Sequence, residues 1–146
     1  MITDKLILEG KKCPYCGKEP EYVDSTVIYG RSYGMIYLCR PCDAYVGVHD
    51  GSSKAKGRLA NKELRKVKIE AHKYFDMIWK QGHLKRTDAY KWLSTRLGIP
   101  SEHTHIGMFD VETCEMVVFS AKQLLNDLRR LDLDMGVEPK TEFFEI

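Results

Sequence analysis

A chain of 146 residues, 43% hydrophobic and 30% charged, is long enough for one modest core, or for a small metal-stapled module beside a helical one, and too apolar for wholesale disorder. Its start, Met1-Ile2-Thr3-Asp4-Lys5, lacks the basic and apolar regions of a secretory signal, and no stretch reaches the ~18 apolar residues of a membrane span. A cytoplasmic protein with reduced thiols and no membrane partner is therefore expected. The formal net charge of +2 is unevenly spread: residues 1–50 carry 6 Lys and Arg against 7 Asp and Glu, residues 51–90 carry 11 against 4, and residues 91–146 carry 6 against 10.

Taken in order, Leu6-Ile7-Leu8 reads as a short edge strand or anchor. The first knuckle is Cys13-Pro14-Tyr15-Cys16, and the second, Cys39-Arg40-Pro41-Cys42, lies beyond a stretch of strand character. Two Cys-x2-Cys pairs at this distance form a zinc-ribbon pattern, because a tetrahedral Zn²⁺ takes four thiolates and each tight knuckle delivers two. Two disulfides or four unrelated thiols are poor alternatives in a reducing compartment. Four thiolates leave no coordination position for water or substrate, so Cys13, Cys16, Cys39 and Cys42 are expected to hold a structural zinc, not a catalytic one.

Between the knuckles, the β-branched and aromatic residues of 21–28 predict a strand and residues 35–38 its partner, with Tyr29-Gly30-Arg31-Ser32-Tyr33-Gly34 reversing the chain. Residues 44–49 add one more short strand, and Asp50-Gly51-Ser52-Ser53 reads as a loop that leads into Lys54, Lys56 and Arg58. Apolar residues at Leu64, Val67, Ala71, Tyr74, Phe75 and Ile78 then predict an amphipathic helix capped by Asn61 and stopped near Gly82. A second helix is predicted from Thr87-Asp88, with a stripe of Tyr90, Leu93 and Leu97, to Gly98 and Pro100. A third follows Asp110, with an inward face running from Val111 and Cys114 to Leu128 and Leu131. The tail beyond Asp132 loses this period and is expected to be loosely ordered or to dock through Phe143 and Phe144. These elements predict an α+β protein: an N-terminal four-cysteine zinc ribbon of β-hairpins packed on a three-helix C-terminal region. The division is residues 1–53, 54–131 and an acidic tail at 132–146.

The run Cys13-Pro14-Tyr15-Cys16, Val27-Ile28-Tyr29-Gly30-Arg31-Ser32-Tyr33-Gly34 and Cys39-Arg40-Pro41-Cys42-Asp43-Ala44-Tyr45-Val46-Gly47 resembles the zinc-finger-containing domain of unknown function found in bacterial and bacteriophage proteins. Gly57-Arg58-Leu59-Ala60-Asn61, Ala89-Tyr90-Lys91-Trp92-Leu93 and His105-Ile106-Gly107-Met108-Phe109-Asp110 carry the same likeness, which covers roughly residues 13–118. The resemblance implies a zinc site and a phage- or prophage-related setting. It brings no activity with it.

The basic block is the clearest functional feature. Lys54, Lys56, Arg58, Lys62, Arg65 and Lys66, with Arg31 between Tyr29 and Tyr33 at the hairpin tip, can neutralise phosphates and add stacking or backbone contacts, although a charge run is usually a solvated face. Non-catalytic recognition of DNA or RNA is the expected function, with a host or phage protein as the other partner class. A metal-dependent nuclease using His49, Asn61 and His72 is the enzymatic alternative, since two imidazoles and an amide in that order can hold a hydrolytic metal and activate water. His103, His105 and Cys114 form a weaker metal-ligand set, because Cys114 falls on an apolar helix stripe, where a thiol acts as a small hydrophobe.

Overall fold

The computed structural model describes residues 4–140 and 142–145. Its elements run α1 (Lys5–Leu8), β1 (Glu21–Asp24), α2 (Thr26–Tyr29), β2 (Met35–Cys39), β3 (Ala44–Gly47), α3 (Lys62–Lys80), α4 (Arg86–Leu97), 3-10 turns at Ser101–His103 and Ile106–Met108, and α5 (Val111–Asp134). A sheet near the N-terminus followed by helices is the α+β arrangement that the sequence predicts. The described residues up to Lys66, together with residues 107–110, form one unit; residues 67–106 and those from Val111 onward form the other.

In the first unit the three strands are antiparallel in the order β1-β2-β3. Glu21 lies opposite Leu38 and Cys39 opposite Ala44. The alternation of β2 and β3 turns Ile36, Leu38, Ala44 and Val46 inward. Two departures from the sequence reading have local causes. Leu6-Ile7-Leu8 is a helical turn, not a strand, because the Asp4 carboxylate accepts the N–H of Leu6 at 3.0 Å and caps it.

The strand expected over residues 21–28 ends at Asp24. There the carboxylate accepts the N–H of Thr26 at 2.9 Å, the Thr26 hydroxyl, and the Ser32 hydroxyl at 2.8 Å. These bonds, the Thr26 hydroxyl foremost, hold the Asp24 carboxyl below its ordinary value. The chain then makes one helical turn and leaves it at Gly30, whose φ of 74° suits a residue without a Cβ. Side-chain bonding to the backbone has outweighed the strand propensity of Thr26, Val27 and Ile28.

After β3 the chain doubles back instead of forming the loop expected at 54–58. Val48 bridges Ala55 and Tyr45 bridges Ala60, with the N–H of Ala60 donating to Tyr45 O at 2.9 Å and the N–H of Lys56 to Gly47 O at 3.0 Å. Residues 55–60 thus cover the edge of β3, and Ala55, Arg58, Leu59 and Ala60 are buried. On its other side this segment meets the backbone of residue 107, where the N–H of Arg58 donates to Gly107 O at 3.2 Å.

In the second unit, α3 beyond Lys66 buries Ala71, Phe75 and Ile78, α4 buries Ala89 and Leu93, and α5 buries Cys114, Val117, Ala121 and Leu125. The Phe75 and Tyr90 rings meet at 4.8 Å, and Arg96 reaches Ser120 Oγ at 3.2 Å and Gln123 Oε1 at 3.1 Å. The tail docks through Phe144, which exchanges two 2.8 Å hydrogen bonds with the Asn126 amide and lays its ring against Tyr74 at 5.1 Å. Helix α5 continues through Leu131, which is 53% exposed and not inward as its spacing predicts. Leu133 on the same turn is 49% exposed.

Candidate metal centre and the surface around it

The first knuckle is closed by its own backbone: the N–H of Gly17 donates to Cys13 O at 2.9 Å and that of Cys13 to Lys18 O at 2.8 Å. The second turns between β2 and β3, with the N–H of Asp43 donating to Arg40 O at 3.2 Å. Asp43 takes a φ of 49°, a left-handed conformation that Asp tolerates better than most residues. The two turns bring the sulfurs of Cys13, Cys16, Cys39 and Cys42 within 4.8 Å of one another, with Cys16 and Cys39 Sγ 3.6 Å apart. A tetrahedron of ~2.3 Å Zn–S bonds places its sulfurs about 3.8 Å apart, so the residues present fit a zinc ion. All five cysteines are free thiols.

Local dipoles and burial act unevenly on these thiols. The backbone N–H of Lys18, foremost, lowers the Cys16 thiol to about 7, while desolvation, foremost, pushes Cys42 up to about 12 and raises Cys39. A bound dication favours the four thiolates over the four thiols. With every position taken by sulfur it supplies cross-linking and no open site for chemistry.

Two side chains that the residue pattern did not single out as structural tie the knuckles to the start of α3. Tyr15, set between the first two ligands, accepts the N–H of Asn61 at 3.1 Å and donates to Leu59 O at 3.4 Å. Burial, foremost, raises its phenol above the ordinary value. Arg65, read from the sequence as a phosphate contact, donates to Asp43 O at 2.7 Å and Ala60 O at 2.8 Å, pairs with the Asp43 carboxylate at 3.1 Å, and lies 4.4 Å from the Tyr45 ring centre. Removing the Tyr15 hydroxyl (Tyr15→Phe) should leave zinc stoichiometry intact and cost about 1 kcal/mol. A lowered denaturant midpoint with an unchanged m-value checks this; an unchanged midpoint would show that the hydroxyl contributes nothing.

The other predicted contacts divide. Lys54, Lys56, Lys62, Lys66 and Arg31 are exposed. Arg58 is not: it is 4% exposed, and its Nε and Nη1 are buried without a hydrogen-bond partner, because it lies in the stretch 57–60, which is buried throughout and meets the backbone of residue 107, while Lys54 and Lys56 face out.

The nuclease set is placed otherwise than its chemistry needs. His49 is exposed and its N–H closes a turn on Lys54 O at 3.0 Å. The Asn61 amide oxygen caps α3 by accepting the N–H of Leu64 at 3.0 Å. His72 stands on an exposed face of α3, 3.9 Å from the Asp76 carboxylate, and burial, foremost, lowers its ring below the ordinary value. His105 lies against Tyr90 at 6.3 Å and Cys114 is fully buried. Among the described residues, Cys13, Cys16, Cys39 and Cys42 are the one group of three or more His, Cys, Asp or Glu side chains whose ligand atoms converge.

Closed knuckles, four converging sulfurs and an antiparallel sheet define a zinc-binding module with a structural four-cysteine site. The chain belongs to the zinc-finger-containing domain family, whose match spans residues 9–124. No curated protein and no solved structure matches it. Among the described residues no helix is long and apolar enough to cross a membrane.

Proposed function

We propose that this zinc-binding module recognises nucleic acid without catalysing a reaction on it. The observation that carries the reading is the state of Lys54, Lys56, Lys62 and Lys66: all four are exposed, none is ion-paired among the described residues, and Glu63 is the one acid in residues 54–66. Arg58 is buried and Arg65 is engaged by Asp43 and Ala60, so of the predicted contacts these lysines and Arg31 are left to neutralise phosphates. A cytoplasmic, phage- or prophage-related setting belongs to the same proposal.

Five phosphate contacts give a log K against log[salt] slope of about −3 to −5. Replacing Lys54 and Lys56 together by Ala should flatten that slope by about 1 to 2 and weaken binding to all sequences alike. Anisotropy titrations of the zinc-loaded chain against a labelled oligonucleotide at several salt concentrations check it. Binding indifferent to salt, or unchanged in the double variant, would remove these lysines from the interface. A protein partner is the second reading, favoured by the exposed Leu131, Leu133 and Met135 at the end of α5.

A further inference from the structure

Tyr33 and Tyr29 stand at the β1–β2 end of the sheet, 68% and 51% exposed. Their rings meet edge to face at 5.4 Å, and Tyr29 meets Tyr45 in the same way at 6.1 Å, with its hydroxyl 3.4 Å from that of Tyr45. The contact with the Tyr45 hydroxyl is the foremost cause that raises the Tyr29 phenol to about 12. Tyr45 is covered by the Arg65 guanidinium.

The cluster is held from below. Ser25, 1% exposed, accepts the N–H of Tyr33 at 2.7 Å and is itself fixed by its N–H bond to Gly34 O at 2.9 Å. Large exposed rings on a fixed backbone offer rigid contact area at little further ordering cost. Here they sit beside a cation, since the Arg31 guanidinium lies 5.3 Å from the Tyr33 ring centre.

Tyr33 also forms one wall of an open cleft of about 390 Å³, whose other walls include Met35, His49, Ser52 and Ser53. Ser52 accepts the N–H of Lys54 at 2.9 Å, so the rim of the cleft leads directly into the exposed lysines.

We propose that the nucleic acid bound here is single-stranded: one base stacks on the exposed Tyr33 ring, which Tyr29 buttresses edge to face, its neighbour enters the cleft, and Arg31, Lys54 and Lys56 follow the backbone. The choice between strand forms rests on geometry. A duplex presents phosphates but hides the faces of its bases, so it can use the lysines and not the rings; an unpaired base can use both. This inference rests on the nucleic-acid reading above and adds the stacking contribution to it.

The test compares three labelled probes on the zinc-loaded full chain at low salt: a mixed-sequence single strand of about twelve nucleotides, the matching duplex, and a single strand of equal length with abasic sites, a size within the range of single-strand modules. The single strand is expected to bind at least about tenfold more tightly than either of the others. Tyr33→Ala should lose about tenfold on the single strand alone, while Tyr33→Phe, which keeps the ring, stays within about twofold. Because Tyr33 is exposed, zinc content and the circular dichroism of both variants should match the parent. Equal binding of all three probes, with Tyr33→Ala neutral and the salt slope retained, overturns the single-strand inference and leaves the phosphate reading standing. Binding of none of the probes overturns both.

Discussion

Stripping zinc from the full chain with a chelator abolishes the cooperative unfolding of the sheet unit, and restoring zinc restores it. This expectation follows from where the sulfurs lie. Cys13 is 0% and Cys39 6% exposed, in one cluster with Ala44, Val46, Ala55 and Leu59. The metal therefore links two buried members of that core, Cys13 and Cys39, to the half-buried Cys42 and the exposed Cys16 at its edge. The strands have only four or five residues each, and so short a sheet has few other apolar contacts to hold it. Apparent binding free energies for structural zinc are about 10–16 kcal/mol at neutral pH and couple directly to folding, as large as the ~5–15 kcal/mol by which whole domains are stable. Hydrogen exchange at Ile36, Leu38 and Val46 reads the effect: their amides should lose protection after chelation and in Cys39→Ser. Protection and Tm unchanged after complete metal removal would show that the sheet stands without zinc.

Gly57→Ala is expected to destabilise the protein by about 3 kcal/mol or more, the upper range for overpacking, and to lower Tm by roughly 10 °C. A Cβ on residue 57 would lie 2.1 Å from Gly107 O and 2.5 Å from Gly107 C. Both are backbone atoms, so no side-chain rotation relieves the contact, and the adjacent bond from Arg58 N–H to Gly107 O must open with it. Gly47→Ala is the control, because nothing lies within 4 Å of the corresponding Cβ; it should stay within about 1 kcal/mol of the parent. Similar losses in the two variants would mean that the approach of residues 57 and 107 has no special stabilising role.

Much of this arrangement is legible in the residues. The Cys-x2-Cys pairs specify the metal ligands because a four-thiolate site needs little beyond spacing and two tight turns. The 3.6-residue periods place α3 and α5, and Asn61 caps α3 as its residue type predicts. What misled were residues whose own propensity or charge is overridden by a hydrogen bond or a contact that spacing does not reveal. Thr26, Val27 and Ile28 have strand propensity, yet Asp24 and Ser25 bond the turn that contains them. Arg58 and Arg65 carry the same charge as Lys54 and Lys56, yet one is buried where residues 55–60 pair with β3 and the other is bonded to Asp43. Tyr15 looks like a spacer between ligands until its hydroxyl is seen to meet Asn61.

The zinc ligands, the α+β class and the helix periods are readable from the residues alone, because each follows from residue type and spacing along a short stretch of chain. Which basic residues face solvent, the passage of Gly57 against Gly107, and the gathering of Tyr29, Tyr33 and Tyr45 between Arg31 and Arg65 are settled by tertiary contacts alone. These depend on strand pairing and backbone approach between residues up to 50 positions apart, and a hydrogen bond or a close contact at that distance leaves no period in the chain to read.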